Sequence, residues 1–408
     1  MSIEIRNVSP DEFVPFVEAL STAFLDRPDV ARVAEAVTPL WEPQRTWGAF
    51  DGDRVCGTFR SWATELTVQG GARLPASAIE AVTVLPTHRR RGILTGMVAA
   101  EHAAIRERGE AVGVLYASEY PIYGRYGYGP GCRVATWMLD AGATGFHGAP
   151  VSGIELVLPG PETRDTMTAV FETWRARQAG EIRRRPFRWD DELGLIDSAW
   201  GERWKGFLAF HRDAAGAIDG YARYRAEEKW EHRQPRGILK VNDLHALTDE
   251  AHVALWRHLA ETDLVSTVVA EGRSPSERLP WLLANPRAAV LSDVGDGLWV
   301  RLFDAARALE ARSWERSGSL VLEVFDGEAG APIRLALDVS PDGASCRPTD
   351  RSADLTLPVA ALGAAYLGGT RLRDAVIATG ADEHRDGALA SADALFRASD
   401  EPWCSTFF

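Results

Sequence analysis

The segment Val82-Thr83-Val84-Leu85-Pro86-Thr87-His88-Arg89-Arg90-Arg91-Gly92-Ile93-Leu94 combines the residue types needed to hold a phosphate. Its β-branched start reads as a buried strand, Pro86 ends that strand, and a basic turn opens a helix predicted from Ile93 to about Arg108. The first N–H groups of a helix have no internal partner and carry partial positive charge. Gly92 lets the backbone approach a ligand closely, and the arginines add charge without needing burial. Together these features predict a pyrophosphate site. A Walker loop would need Gly-x-x-x-x-Gly-Lys-Ser/Thr and a dinucleotide fingerprint three spaced glycines, and the segment has neither. A solvated basic turn, or a nucleic-acid patch, is the alternative that the turn alone leaves open.

Two further groups could move protons. Tyr123, Tyr126 and Tyr128 crowd the run Ala117-Ser118-Glu119-Tyr120-Pro121-Ile122-Tyr123-Gly124-Arg125-Tyr126-Gly127-Tyr128-Gly129-Pro130. A phenol, with a pKa of about 10, is a proton donor, although tyrosines beside Gly and Pro more often pack. Glu80 lies two residues before Val82, and even spacing puts Glu80, Val82 and Val84 on one face of a strand. It is a candidate base; an exposed strand carboxylate or a substrate contact is an equal reading. His88 sits in the anion turn itself.

The elements that must position these residues follow from hydrophobic period and turn signals. Ile3–Arg6 reads as a strand and Pro10–Phe24 as a helix with Phe13, Phe16, Val17, Leu20 and Phe24 on one face. Trp47–Phe50 and Val55–Thr67 flank the hairpin signal Asp51-Gly52-Asp53. The strand Ala78–Leu85, the helix from Ile93 and the strand Ala111–Tyr116 complete residues 1–145. Residues 146–294 repeat this plan: helix Thr163–Gln178, a hairpin of Gly206–His211 and Asp219–Arg225, strand Leu239–Ala246, a helix to about Glu261, and strand Val265–Ala270. Thr248-Asp249-Glu250 caps that helix from within the protein, and no glycine–arginine cluster stands there, so this copy is expected to bind no pyrophosphate. Residues 295–408 form a third unit, α+β in type. Its strands are Leu298–Leu302, Ser319–Phe325 and Ile333–Val339, with an apolar helix Leu355–Leu367 and a short helix Asp393–Ala398.

A chain of 408 residues is long enough for two or three domains. Its formal net charge of −13 argues against general nucleic-acid binding and favours cationic partners. No apolar run is long enough to span a bilayer, and the start lacks a signal-peptide pattern, so a cytoplasmic location is expected. The four cysteines are scattered without metal-ligand spacing; no metal is expected, and each reads as a small buried hydrophobe.

The turn Arg89-Arg90-Arg91-Gly92-Ile93-Leu94 resembles the Arg/Gln-x-x-Gly-x-Gly/Ala signature of GNAT N-acetyltransferases, departing only at Leu94. Ile122-Tyr123, four residues ahead of Gly127-Tyr128, is similar to the Phe-Tyr…Gly-Phe pattern of that superfamily. With Pro348-Thr349-Asp350, Tyr366-Leu367-Gly368-Gly369 and the aromatic Phe408, the chain resembles the enhanced intracellular survival (Eis) acetyltransferases over its full length, most strongly in residues 78–130.

This resemblance implies tandem acetyltransferase (GNAT) folds of α/β type, the second degenerate, followed by a sterol-carrier-like α+β domain. It implies acetyl transfer from acetyl-CoA to primary amines of aminoglycoside-like or polyamine acceptors, and a homohexamer. A protein lysine acetyltransferase and a non-enzymatic lipid carrier acting through residues 295–408 are the alternatives. By position, Val82, Thr83 and Val84 would hold the pantetheine arm and thioester. Arg90, Arg91, Gly92, Ile93, Leu94 and Thr95 would cradle the phosphates, flanked by Ser118 and Glu119. Tyr123 matches the family's general acid and the Phe408 α-carboxylate its general base. Asp26 falls in the segment that lines the amine pocket, with Asp29 nearby and Glu80 as a further substrate contact. Phe407 stands where the family can place an acidic residue, which argues against broad, multi-site aminoglycoside acetylation unless Glu80 replaces that charge.

Overall fold

Two of the three large sheets exchange a strand. The computed structural model describes residues 3–143, 145–149, 152–328 and 331–408. The first sheet runs Glu4–Asn7, Thr46–Asp51, Arg54–Thr67, Arg73–Val84, Val112–Tyr116, Leu298–Leu302, Gly129–Pro130. The second runs Ala289–Asp296, Arg133–Asp140, Val265–Arg273, Gly237–Ala246, Ile218–Glu227, Phe207–Arg212, Ile154–Val157. Arg133–Asp140 therefore leaves the first segment of the chain for the second sheet, while Leu298–Leu302 returns from the third segment into the first sheet. The two crossings touch: Gly131 N donates to Leu298 O and Gly297 N to Cys132 O, each at 2.9 Å. Divisions drawn at 145/146 and 294/295 thus cut across both sheets. Local pattern could not show this. A fully buried strand such as Leu-Trp-Val-Arg-Leu is apolar but for Arg301, and nothing in it names its partner.

The third sheet runs Gly343–Pro348, Ile333–Ser340, Gly318–Phe325, Leu355–Pro358, Asp382–Glu383. The expected helix Leu355–Leu367 is a strand to Pro358 followed by the helix Val359–Tyr366. A continuous apolar run does not distinguish the two states, and the strand wins by pairing in parallel with Leu322–Phe325. The helix then lies on the returning strand of the first sheet, so closely that a Cβ on Gly363 would sit 2.2 Å from Val300 O. One apolar core joins Trp62, Leu66 and Val300 of the first sheet to Leu320, Leu322, Tyr366 and Phe396. Each such buried side chain contributes about 1.5–3 kcal/mol. The third domain is thereby a buttress of the first sheet.

Candidate active site

The site begins where two parallel strands part. Arg73–Val84 pairs with Val112–Tyr116 only from Ala76↔Val112 to Ile79↔Leu115, then runs on beside Arg54–Thr67 alone. Leu85 N donates to Cys56 O at 2.9 Å. Successive amides of a strand face opposite edges, so the N–H of Val84 faces the edge from which Val112–Tyr116 has departed.

A β-bulge lies in the same stretch. The register passes from Thr58↔Thr83 to Arg60↔Glu80, one residue longer on the Arg73–Val84 side, and Ala81 absorbs it in the left-handed region (φ 54°). The bulge reverses the alternation. Glu80 shares a face with Thr83, not with Val82 and Val84, contrary to the even-spacing expectation. Its carboxylate meets Arg60 at 2.9 Å and Arg185 at 3.0 Å. Burial alone would raise the Glu80 pKa, but the two arginines outweigh it and hold the group below the usual carboxylate range.

Past the strand, Pro86–His88 forms a 3-10 turn with His88 buried against Thr87 (2.8 Å) and Asp51 (3.3 Å). Histidine here braces the turn. Arg90 (φ 64°) and Gly92 (φ 76°) are left-handed and Arg91 is not. Alternating hand in a short turn makes consecutive amides converge on an anion. Gly92 is the N-cap of the helix Ile93–Glu107, and no side chain caps that helix start. A Cβ on Gly92 would meet nothing within 4 Å, so glycine is needed there for its dihedral angle, and the space above the amides is open.

The parted strands and the uncapped helix frame a cleft of about 600 Å³. Val82, Thr83, Val84, Arg90, Gly92, Ile93, Leu94, Thr95, Ser118, Glu119 and Tyr123 all line it. Arg91 does not; it is exposed and reaches back to Thr87 O at 3.3 Å. The arrangement fits a nucleotide diphosphate on the helix amides with an extended arm between the strands. Among the described residues no group of three or more His, Cys, Asp or Glu is gathered as a metal would require.

Tyr123 opens the 3-10 turn Tyr123–Tyr126. The three tyrosines separate by their partners. Tyr126 Oη lies 3.0 Å from Thr95 Oγ1, and Tyr128 Oη 3.1 Å from His102 Nε2, whereas the Tyr123 hydroxyl has no partner among the described residues. Burial, with smaller contributions from Tyr126 and Glu119, pushes the Tyr123 pKa up to about 12. The turn is fastened from behind by Arg301 of the returning strand, which donates to Tyr126 O and to Asp326 (2.8 Å). Sequence reading gives Arg301 no role. A lone arginine within a strand of otherwise apolar residues is the available signal.

Residues 403–408 run beside the end of Val112–Tyr116, where Tyr116 Oη donates to Cys404 O at 3.3 Å. The Phe408 ring packs edge-on against Trp62 (5.7 Å) and Tyr116 (5.4 Å), and Arg188 donates to Phe407 O. A second hollow of about 230 Å³ is lined by Tyr116, Ser118, Asp296, Phe407 and Phe408, so Ser118 walls both spaces. Asp296, which sequence reading misses, accepts from Trp299 Nε1 at 2.6 Å. Asp26 is exposed, accepts from Arg27 N (2.7 Å), and is outside the cleft lining, although Phe24 is within it. Asp29 caps the helix Val30–Val37 by accepting from Arg32 N.

The corresponding place in the second sheet is closed. Thr248 caps the helix Asp249–Ala260, accepting from Ala251 N at 3.1 Å and donating to Asp219 at 2.5 Å. Beyond Val241↔Ala270 the parallel strands part, and Arg273 fills the gap, donating to Leu244 O at 2.7 Å and pairing with Glu277 at 2.6 Å.

Comparison with known proteins agrees with this architecture. The chain matches an acetyltransferase (GNAT) domain over residues 4–131, a second such domain over 180–302, and a sterol carrier protein domain over 305–405. It is 42% identical to an uncharacterized N-acetyltransferase of Streptomyces griseus across the whole of both chains. It is 35% identical to N-acetyltransferase Eis of Mycobacterium tuberculosis over 88% of this chain and 87% of that one. The crystal structure of Eis1 from Mycobacterium abscessus superposes with a TM-score of 0.86 at 34% identity, covering 99% of this chain and 100% of that one. From the uncapped anion turn through the closed second copy to these full-length likenesses, the chain belongs to the Eis family of GNAT N-acetyltransferases.

Proposed function

We propose that this enzyme transfers an acetyl group from acetyl-CoA to a primary amine of a small cationic acceptor, an aminoglycoside-like molecule or a polyamine. The observation that carries the reading is the open amide cradle at Gly92, which shares one cleft with a phenol that has no partner among the described residues. Acetyl-CoA supplies the activated thioester. Arg90, Gly92, Ile93, Leu94 and Thr95 hold its phosphates, helped by Arg91 as a nearby charge, while Val82, Thr83 and Val84 take the arm and Ser118 and Glu119 flank it. The Val84 N–H donates to the acyl oxygen, a contribution of the oxyanion-hole kind worth about 2.7–4 kcal/mol. Tyr123, kept protonated by burial, gives its proton to the departing sulfur.

The acceptor enters past Phe407, and the α-carboxylate of Phe408 faces its ammonium. A chain-terminal carboxyl ordinarily titrates at about 3.3–3.7 and is a weak base, so its main work is to bind and orient the ammonium while water relays the proton. Glu80 is a poorer base, because Arg60 and Arg185 already neutralise it. For the same reason it does not replace the acidic residue that Phe407 displaces, and acetylation at a single amine is expected. Asp26, at the rim, is a distant attraction for the cation. By likeness to its family the enzyme is expected to assemble as a homohexamer, which analytical ultracentrifugation checks.

The deciding experiment incubates the protein with acetyl-CoA and a panel of aminoglycosides, polyamines and lysine peptides, following free thiol and product mass. Thiol release with a small polyamine or aminoglycoside, giving singly acetylated product, is the expected result. Release with peptides alone would move the acceptor to protein lysines. No release with any amine would overturn the enzymatic assignment of the cleft.

A further inference from the structure

We propose that the central domain, whose own cofactor gap is closed, serves as the clasp that positions the catalytic end of the chain, with Arg184 as the principal positioning residue. This rests on the reading of Phe408 given above. The clasp occupies the place where Gly237–Ala246 and Val265–Arg273 part, the counterpart of the cofactor gap in the first sheet. Trp403 seals it: its indole donates to Gly272 O at 2.9 Å and lies 4.7 Å beneath the Arg273 guanidinium. Its backbone N–H donates to Ala179 O at 2.9 Å. Two residues on from Ala179, Glu181 accepts both the N–H (2.7 Å) and the hydroxyl (2.6 Å) of Ser405.

Arg184 then reads the tail with its whole fork. Nη2 donates to Ser405 Oγ at 3.0 Å, Nε to Thr406 Oγ1 at 2.9 Å, and Nη1 to Asp243 at 2.6 Å. Its plane is held by the rings of Phe171 (4.1 Å) and Trp189 (4.8 Å). Asp243 is fixed in turn by Tyr221 Oη at 2.9 Å and His245 Nε2 at 2.7 Å. Glu181, Arg184, Asp243 and Thr406 are all buried.

A charged network at this depth is a poor source of stability, since apolar residues of the same volume would serve as well or better. What it supplies is a unique placement. Only Phe407 stands between Thr406 and Phe408, so the Cα of Phe408, which bears the carboxylate, lies within about 7 Å of the Cα of the last clasped residue. A shift of the clasp is therefore a shift of the carboxylate, and a misplacement of about 1 Å in a reacting group can reduce rate about 100-fold.

The test compares Arg184→Met, Ser405→Ala with Thr406→Val, and a chain lacking residues 406–408, each alone and Arg184→Met combined with the truncation. The readouts are kcat, KM for the amine, affinity for coenzyme A, and hydrogen exchange at the Trp403 and Ser405 amides. Arg184→Met is expected to lower kcat/KM for the amine by about 10- to 100-fold. Coenzyme A affinity should stay unchanged, and exchange at Ser405 should speed up. In the truncated background the same substitution should have no further effect on kcat, because the group it positions is gone. An equal fold-loss in both backgrounds, or full kcat with a freely exchanging tail, would overturn the proposal. If Arg184→Met does not fold, the Ser405→Ala, Thr406→Val variant decides alone: unchanged turnover sinks the clasp. Truncation that leaves kcat intact instead removes the terminal carboxylate from the mechanism, and the clasp with it. A crippling truncation beside harmless clasp variants rejects the clasp only.

Discussion

The first and central acetyltransferase domains share a parallel pair of strands that part midway and a helix that starts at the parting, yet they treat that opening in opposite ways. In the first, the helix starts on Gly92 with bare amides beneath open space. In the central domain, Thr248 caps the helix and Arg273 lies in the gap. One plan thus yields an open cleft or a filled core according to three features: the residue at the helix start, the charge of the preceding turn, and whether an arginine plugs the strand edge. The helix-end donors left bare in the first are satisfied by the protein's own threonine in the central copy.

Changes at the aromatic end of the chain should separate the domains most sharply. Removing Phe408, or adding residues after it, should lower kcat by about 10²–10⁴-fold, measured by thiol release, while coenzyme A binding by calorimetry stays intact. Tyr123→Phe should lower kcat by about 100-fold. Tyr123 is raised to about 12, so its proton is present below that pH and lost only above it. The pH–rate profile of the unaltered enzyme should therefore show no alkaline fall from this phenol below about pH 11. An earlier fall that persists in Tyr123→Phe would reassign the acid to another group.

Affinity changes should be smaller. Arg90→Ala should weaken acetyl-CoA binding about tenfold, the worth of one charge-assisted phosphate contact, with Arg91→Ala weaker in effect. Thr248→Ala should reduce stability by about 1 kcal/mol in denaturant titration, and confer no coenzyme A binding, because Arg273 still fills the gap.

The plug also predicts a dependence on pH. Burial alone would raise the Glu277 pKa, but Arg273 and His252 outweigh it and hold the group below the usual carboxylate range. A depressed folded-state pKa stabilises above the unfolded value, about 4.3, and that contribution is lost as pH falls below it. The Tm difference between the native protein and Glu277→Gln should be constant near neutrality and shrink below about pH 4. A difference that persists into acid would sever the plug from this ion pair.

How far the residues themselves disclose the site depends on whether the information is local. The anion turn, the helix at Ile93, the turn carrying Tyr123 and the capped helix at Thr248 are written in contiguous residues, and the structure has them in those places. Glu80 defeats the even-spacing reading because a single left-handed alanine reverses a strand's faces, and nothing in Ala81 announces that. Arg301 escapes notice because it joins the first sheet only through strand exchange, and Asp296 because it lines the second hollow from the edge strand of the second sheet, partnerships with no trace in nearby sequence. Asp29 reads as a candidate amine contact, but an aspartate shortly past one helix end is as well suited to starting the next helix.

The returning strand Leu298–Leu302 has a consequence for how the molecule comes into being. The sheet that frames the cleft at Gly92 receives this strand, between Val112–Tyr116 and Gly129–Pro130, only after the whole central sheet has been synthesised. A nascent chain stopped at residue 131 would expose an unpaired edge along Val112–Tyr116 and lack the arginine that secures the tyrosine turn. Isolating the first domain at its apparent end should accordingly give a sticky fragment, whereas joining residues 298–302 to that fragment through a short linker should restore a closed sheet.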